Sequence, residues 1–118
     1  MTRLRWFASM AIAAAFTLGC GGSPKPVSQM ATSEASIRGA TEAGAQSVPE
    51  AKLYLTMAKE KHERAIALVE DDENDEAVAL FIRSAADAEL AIALARAARA
   101  QAEADEARAG VQNLKETP

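Results

Sequence analysis

Ala65-Ile66-Ala67-Leu68-Val69-Glu70-Asp71-Asp72-Glu73-Asn74-Asp75-Glu76-Ala77-Val78-Ala79-Leu80-Phe81 is the stretch that decides the fold. Its middle six residues, 71–76, are all polar and five are acidic. They interrupt an apolar pattern that has a helical period on both sides. Upstream, Ala51, Leu55, Ala58, His62, Ala65 and Val69 recur at alternating spacings of four and three, widened by Tyr54, Ile66 and Leu68. Such a stripe has to bury one face. Downstream, two offset stripes keep the same rhythm. One is Ala77, Phe81, Ser84, Ala88, Ala91, Ala95, Ala98 and Ala102; the other is Leu90, Ala93, Ala97, Ala100, Ala104, Ala107, Val111 and Leu114. A heptad rhythm of small residues lets helix backbones approach closely. The acidic interruption reads as a tight turn plus the first turn of the next helix, its carboxylates complementing the positive end of the helix dipole. Helices joined so tightly pack antiparallel. The pattern predicts a second helix over 49–70 and a third over 75–115. Arg96 or Arg99 paired with Glu103 decorates the solvent side of the third helix, and Gly110 frays its last turn.

Working back from this hairpin, Ser47-Val48-Pro49-Glu50 marks a helix start. Ser47 caps it and Glu50, three residues on, completes a capping box. Pro49 loses nothing in a first turn, and it pushes Val48 out of helical geometry. A first helix is expected over 28–46, with Ser28 as its N-cap. Its apolar face is thin: Met30, Ile37, Ala40 and Gly44. Gly39 and Gly44 weaken it further. At 1.5 Å per residue the second helix is about 33 Å long and the third about 60 Å. Folded back, the third overhangs the second by about 18 residues on the same rise, close to the length of the first helix. The expected architecture is therefore all-α: a long antiparallel hairpin with a kinked N-terminal helical arm, the first two helices nearly in line and bent at Pro49. The alternative is a three-helix bundle with the first helix folded back.

Composition agrees with helices and excludes much else. The 118 residues hold 29 alanines and only five aromatics, Trp6, Phe7, Phe16, Tyr54 and Phe81. A sandwich or barrel needs β-branched and aromatic residues in alternation. A single Cys rules out an intramolecular disulfide and a cysteine zinc site.

The first twenty residues read as an export address. Arg3 and Arg5 precede an uncharged, mostly apolar run at 6–18 that ends at Gly19-Cys20. Thirteen residues are too few to span a bilayer, which takes about 20. The junction resembles the lipobox of bacterial lipoproteins, in which cleavage precedes the Cys and the Cys carries the lipid. Leu is usual three positions before that Cys; here Thr17 stands there and Leu18 is one place late. The resemblance implies a signal peptide at 1–19, a fatty-acyl anchor of palmitate type on Cys20, and a flexible Gly/Ser/Pro tether at 20–27. Cleaved there, the chain carries 11 Lys+Arg against 17 Asp+Glu. This acidity disfavours nucleic acid and leaves membrane attachment to the acyl chains. Gly21, where an Asp favours inner-membrane retention in some bacteria, points to the outer membrane, facing the periplasm.

After this tether come an Ala-rich helix, then Ala43-Gly44-Ala45-Gln46-Ser47-Val48-Pro49-Glu50-Ala51-Lys52-Leu53, then Ala58-Lys59, Ala65, the acidic turn and a long Ala/Arg/Glu helix. This order resembles the DUF4398 family of bacterial cell-envelope lipoproteins, over residues 28–116. The family's turn often reads Gly-Asp-Tyr; Asp72-Glu73-Asn74-Asp75 stands in its place. Some relatives carry a C-terminal peptidoglycan-binding domain, which the residues here do not supply. The resemblance implies an envelope location and no mechanism.

Chemistry-bearing residues are few. His62 lies on an apolar stripe without a second His or a Cys to converge with, and reads as packing. The acidic run fails the calcium-loop pattern, which needs Gly at its sixth position and Glu at its twelfth; from Asp71 those are Glu76 and Ile82. No nucleophile elbow or phosphate loop is present. Neither a catalytic residue, a metal, a cofactor nor a small-molecule substrate is expected, and Cys20 is the one site. The function expected is a non-enzymatic, lipid-anchored envelope protein presenting a helical hairpin to an envelope partner. The alternatives are a self-associating coiled-coil spacer and an accessory module for outer-membrane assembly.

Overall fold

The computed structural model describes residues 22–116; the leader at 1–19 and Cys20 lie outside them. Three helices follow in order: α1 (Val27–Glu42), α2 (Pro49–Glu70) and α3 (Asn74–Glu116), with a short 3-10 turn at Ala45–Ser47. There is no strand among the described residues. α2 and α3 form the expected antiparallel hairpin. The reversal takes three residues and is closed by backbone. The Asp72 N–H reaches Val69 O at 3.3 Å and the Glu73 N–H reaches Leu68 O at 2.8 Å. Asp72 adopts φ 61°, the left-handed conformation that this helix ending needs.

α1 is not in line with α2. It folds back along the hairpin, antiparallel to α2 and parallel to α3. Its start lies at the α2–α3 turn, where Asn74 Nδ2 donates to Ser23 O at 2.6 Å and Met30 packs with Ala65, Ala77 and Phe81. Its end lies at the other end of α2, where Ala40 packs with Ala51, Leu55, Ala88, Ala91 and Ala95. The three-helix arrangement is therefore the one adopted. The reason sits before Pro49. Gly44, at φ 83°, stops α1 at Glu42, four residues short of the expected end. The 3-10 turn then reverses the chain, whereas Pro49 alone would only bend it. An Ala at a left-handed position costs about 1–2 kcal/mol. We expect Gly44→Ala to lower unfolding stability by about that amount in urea titrations.

Two caps differ from expectation. Pro49 holds Val48 extended at φ −110° and ψ 115°, so Val48 is the N-cap of α2 and no side chain caps it. Ser47 sits one residue too early and lies within the 3-10 turn, so the capping box does not form. Pro26 stands at the N-cap of α1, and Ser28, inside the first turn, donates to Gln29 Oε1. Residues 22–26 are non-helical, as their composition expects, yet Ser23 is held by Asn74 and Pro26 is buried. Gly110 does not end α3, which continues to Glu116.

The core is built of small side chains. Around Phe81, the largest fully buried one, Met30, Ile66, Leu68, Val69 and Leu80 close the turn end. Toward the far end, six fully buried alanines, among them Ala58 and Ala88, pack with Leu55, Ile37, Val48, Tyr54, Ile92 and Leu94. Where α1 passes α3, a Cβ at Gly39 would stand 3.4 Å from Ile92 Cδ1, an ordinary van der Waals distance. Lys61 and Asp87 pair between α2 and α3, both partly exposed, a contact of small weight.

Candidate functional site

Between the two apolar clusters lies a polar layer contributed by all three helices. Ser33 of α1 and Ser84 of α3 are both fully buried. Ser84 Oγ donates to Ala58 O of α2 at 2.7 Å. A carbonyl can only accept, so the Ser84 proton is committed there. Ser33 Oγ therefore donates to Ser84 Oγ, at 2.8 Å. With the Ser33 proton also committed, the 2.8 Å contact between Ser33 Oγ and His62 Nδ1 must be donated by Nδ1–H. The whole chain runs one way, from imidazole to helix carbonyl. His62 also meets Phe81 edge-on, centroids 5.3 Å apart.

This geometry fixes what the layer can do. Activating a serine requires an imidazole lone pair facing the hydroxyl. Here the imidazole presents its N–H, and Ser33 has no exposed surface for a substrate to reach. The layer is a clasp that sets the positions of three helices. His62 packs against the core as the sequence predicts. The serines were less visible. Ser33 fills the gap between Met30 and Ile37, completing the 30-33-37-40 spacing, and that spacing is the signal that could have found it.

The acidic turn makes no cage. Among the described residues no group of three or more His, Cys, Asp or Glu is arranged to hold a metal ion. Asn74, 5% exposed, leaves Oδ1 buried without a partner while its Nδ2 holds Ser23. An open groove of about 440 Å³ runs between α1 and α3, floored by Phe81, Ala85 and Ala86 and edged by Thr32, Ile82 and Glu89. It holds no pair of titratable groups that could share a proton.

The remaining distinctive surface is α3 itself. Its first stripe, from Ala77 to Ala95, is the bundle core. Near the end of the bundle Arg99 Nη2 donates to Ala43 O at 3.3 Å, and Arg99 does not pair with Glu103. The 17 residues from Ala100 to Glu116 extend about 25 Å beyond it at 1.5 Å per residue. The second stripe is exposed apart from a half-buried Ala104: Leu90 is 41%, Val111 51% and Leu114 78% exposed.

The sequence profile of the domain of unknown function DUF4398 matches residues 28–107, covering α1, α2 and most of α3. The chain belongs to the DUF4398 family. No curated protein and no solved structure matches it significantly. The DUF4398 domain is thus the three-helix bundle described above plus the first part of the α3 extension.

Proposed function

We propose that this chain is a non-enzymatic, lipid-anchored protein of the bacterial cell envelope that holds its DUF4398 bundle as a rod at the membrane surface. The observation that carries the reading is the hydrogen bond from Asn74 to Ser23. Ser23 lies three residues after Cys20. An acyl anchor on Cys20 therefore attaches at the α2–α3 turn, and α3 runs away from that end for 43 residues, about 65 Å at 1.5 Å per residue. The turn carries Asp71, Asp72, Glu73, Asp75 and Glu76, which anionic head groups repel. Charge at this end thus stands the body off the surface, and the rod offers its far half to another envelope component. No helix among the described residues is long and apolar enough to cross a membrane. Gly21 favours the outer membrane.

Growth of the producing bacterium with radiolabelled palmitate tests the anchor. The native chain takes up label and sediments with washed membranes. Cys20→Ala takes up none, and its polypeptide keeps the leader mass. An unlabelled native chain, or a labelled Cys20→Ala variant, overturns the reading.

A further inference from the structure

The direction of α1 decides at which end of the rod a pull on the chain enters. Ser23 lies at the α2–α3 turn, where Asn74 holds it. Glu116, the end of α3, lies at the opposite end of the molecule. Had α1 run in line with α2, both pulling points would stand at one end. A pull between them would then open the helices from that end, one turn at a time. With α1 folded back, the same pull slides α1 and α3 past each other lengthwise, and every row of contacts between them has to slip together.

The seam is tied for that direction. Three hydrogen bonds join the α1 segment to α3, one near each end and one in the middle. Asn74 Nδ2 donates to Ser23 O at 2.6 Å, Ser33 Oγ to Ser84 Oγ at 2.8 Å, and Arg99 Nη2 to Ala43 O at 3.3 Å. Ser23, Ser33 and Ala43 follow one another at intervals of ten residues. The first two keep one register, each 51 residues from its partner. Between these ties Met30 packs with Ala77 and Phe81, and Ile37 and Ala40 pack with Ala88, Ala91 and Ile92. Slipping α1 by one turn, about 5.4 Å, breaks all three hydrogen bonds at once.

We propose that the domain is a tension link, in which a pull between the Ser23 end and the far part of α3 is carried in shear across the α1–α3 seam. The source of the pull, an anchor on Cys20, rests on the function proposed above. The mechanical property belongs to the bundle and is measured without lipid.

Optical tweezers test it on the full, unlipidated chain. One handle is placed on the thiol of Cys20, the sole Cys, and the other at the C-terminus. A second chain, Cys20→Ala with Ser47→Cys, moves the first handle to an exposed position at the far end, where the pull unzips α2 from α3. Forced unfolding is governed by the unfolding barrier, here the one crossed along the direction of pull. Three ties strained together, against one at a time, set the expected unfolding force about two to three times higher from Cys20 than from position 47. Asn74→Ala removes the tie at the turn, remote from where unzipping starts. It is expected to lower the force from Cys20 by about a third and to leave the force from position 47 unchanged, with unchanged helical circular dichroism. Equal forces from the two handles overturn the proposal. So does a separate low-force step in which residues 23–42 come away before the rest, or an Asn74→Ala variant that lowers both forces alike. Should palmitate labelling fail while the force ratio holds, the anchor falls and the link stands.

Discussion

Phe81→Ala is expected to unfold the bundle at 37 °C. Phe81 is the largest fully buried side chain and one of two aromatic rings among the described residues. Truncating a buried Phe costs about 3–5 kcal/mol in lost transfer energy and cavity. Ala65 and Ala77 beside it have no length to reach into the gap. His62 also loses the ring it meets edge-on. A domain of this size has about 5 kcal/mol in total to lose. Loss of helical circular dichroism with temperature measures the effect. A variant melting within a few degrees of the native chain would show that Phe81 carries little of the core.

Ser33→Leu carries the second large effect, and it tests the direction of α1. The added side chain has no room between Ser84 and His62, and both lose a partner: His62 Nδ1–H its acceptor, Ser84 Oγ its donor. Overpacking costs about 1–3 kcal/mol, and a buried donor left unpaired about 1–3 more. Since Ser33 is the polar tie of α1 to both other helices, α1 should detach while α2 and α3 stay paired through their apolar contacts. Amide hydrogen exchange resolves this, with protection falling across residues 27–42 and persisting across 55–66 and 77–91. Were α1 in line with α2, Ser33 would lie far from Ser84 and the substitution would leave exchange in α1 unchanged.

The sequence made some of this legible and hid the rest for physical reasons. The bounds of α2 and the antiparallel hairpin follow from strong signals: Pro49 at a helix start, and five acids between two apolar stripes. The DUF4398 resemblance rested on the same residues and is matched over 28–107. The direction of α1 was not legible, because it turns on whether Gly44 continues a helix or ends it, and a glycine permits both. Chain length tolerates either path, so spacing alone could not decide. Ser33 and Ser84 escaped notice as a pair because a serine on a helix face signals neither burial nor exposure; only their meeting with Ala58 O gives them a role. The capping box failed by one residue, since Pro49 acts on Val48 more strongly than Ser47 attracts an N–H. The outer stripe of α3 was visible from its rhythm, and what the structure adds is that α1, by folding back, leaves it open.

The meeting of Ser33 with Ser84 also orders events in time. They stand 51 residues apart in the chain, whereas the α2–α3 hairpin closes across a three-residue turn. Local contacts form fast and distant ones wait for the loop between them to close. α1 is 16 residues long, a length at which an isolated helix is marginal in water. It is made before α2 and α3, yet has nothing to rest on until α3 has been made past Ala91. The α2–α3 hairpin is therefore expected to form before α1 docks, since every contact of α1 waits for that hairpin.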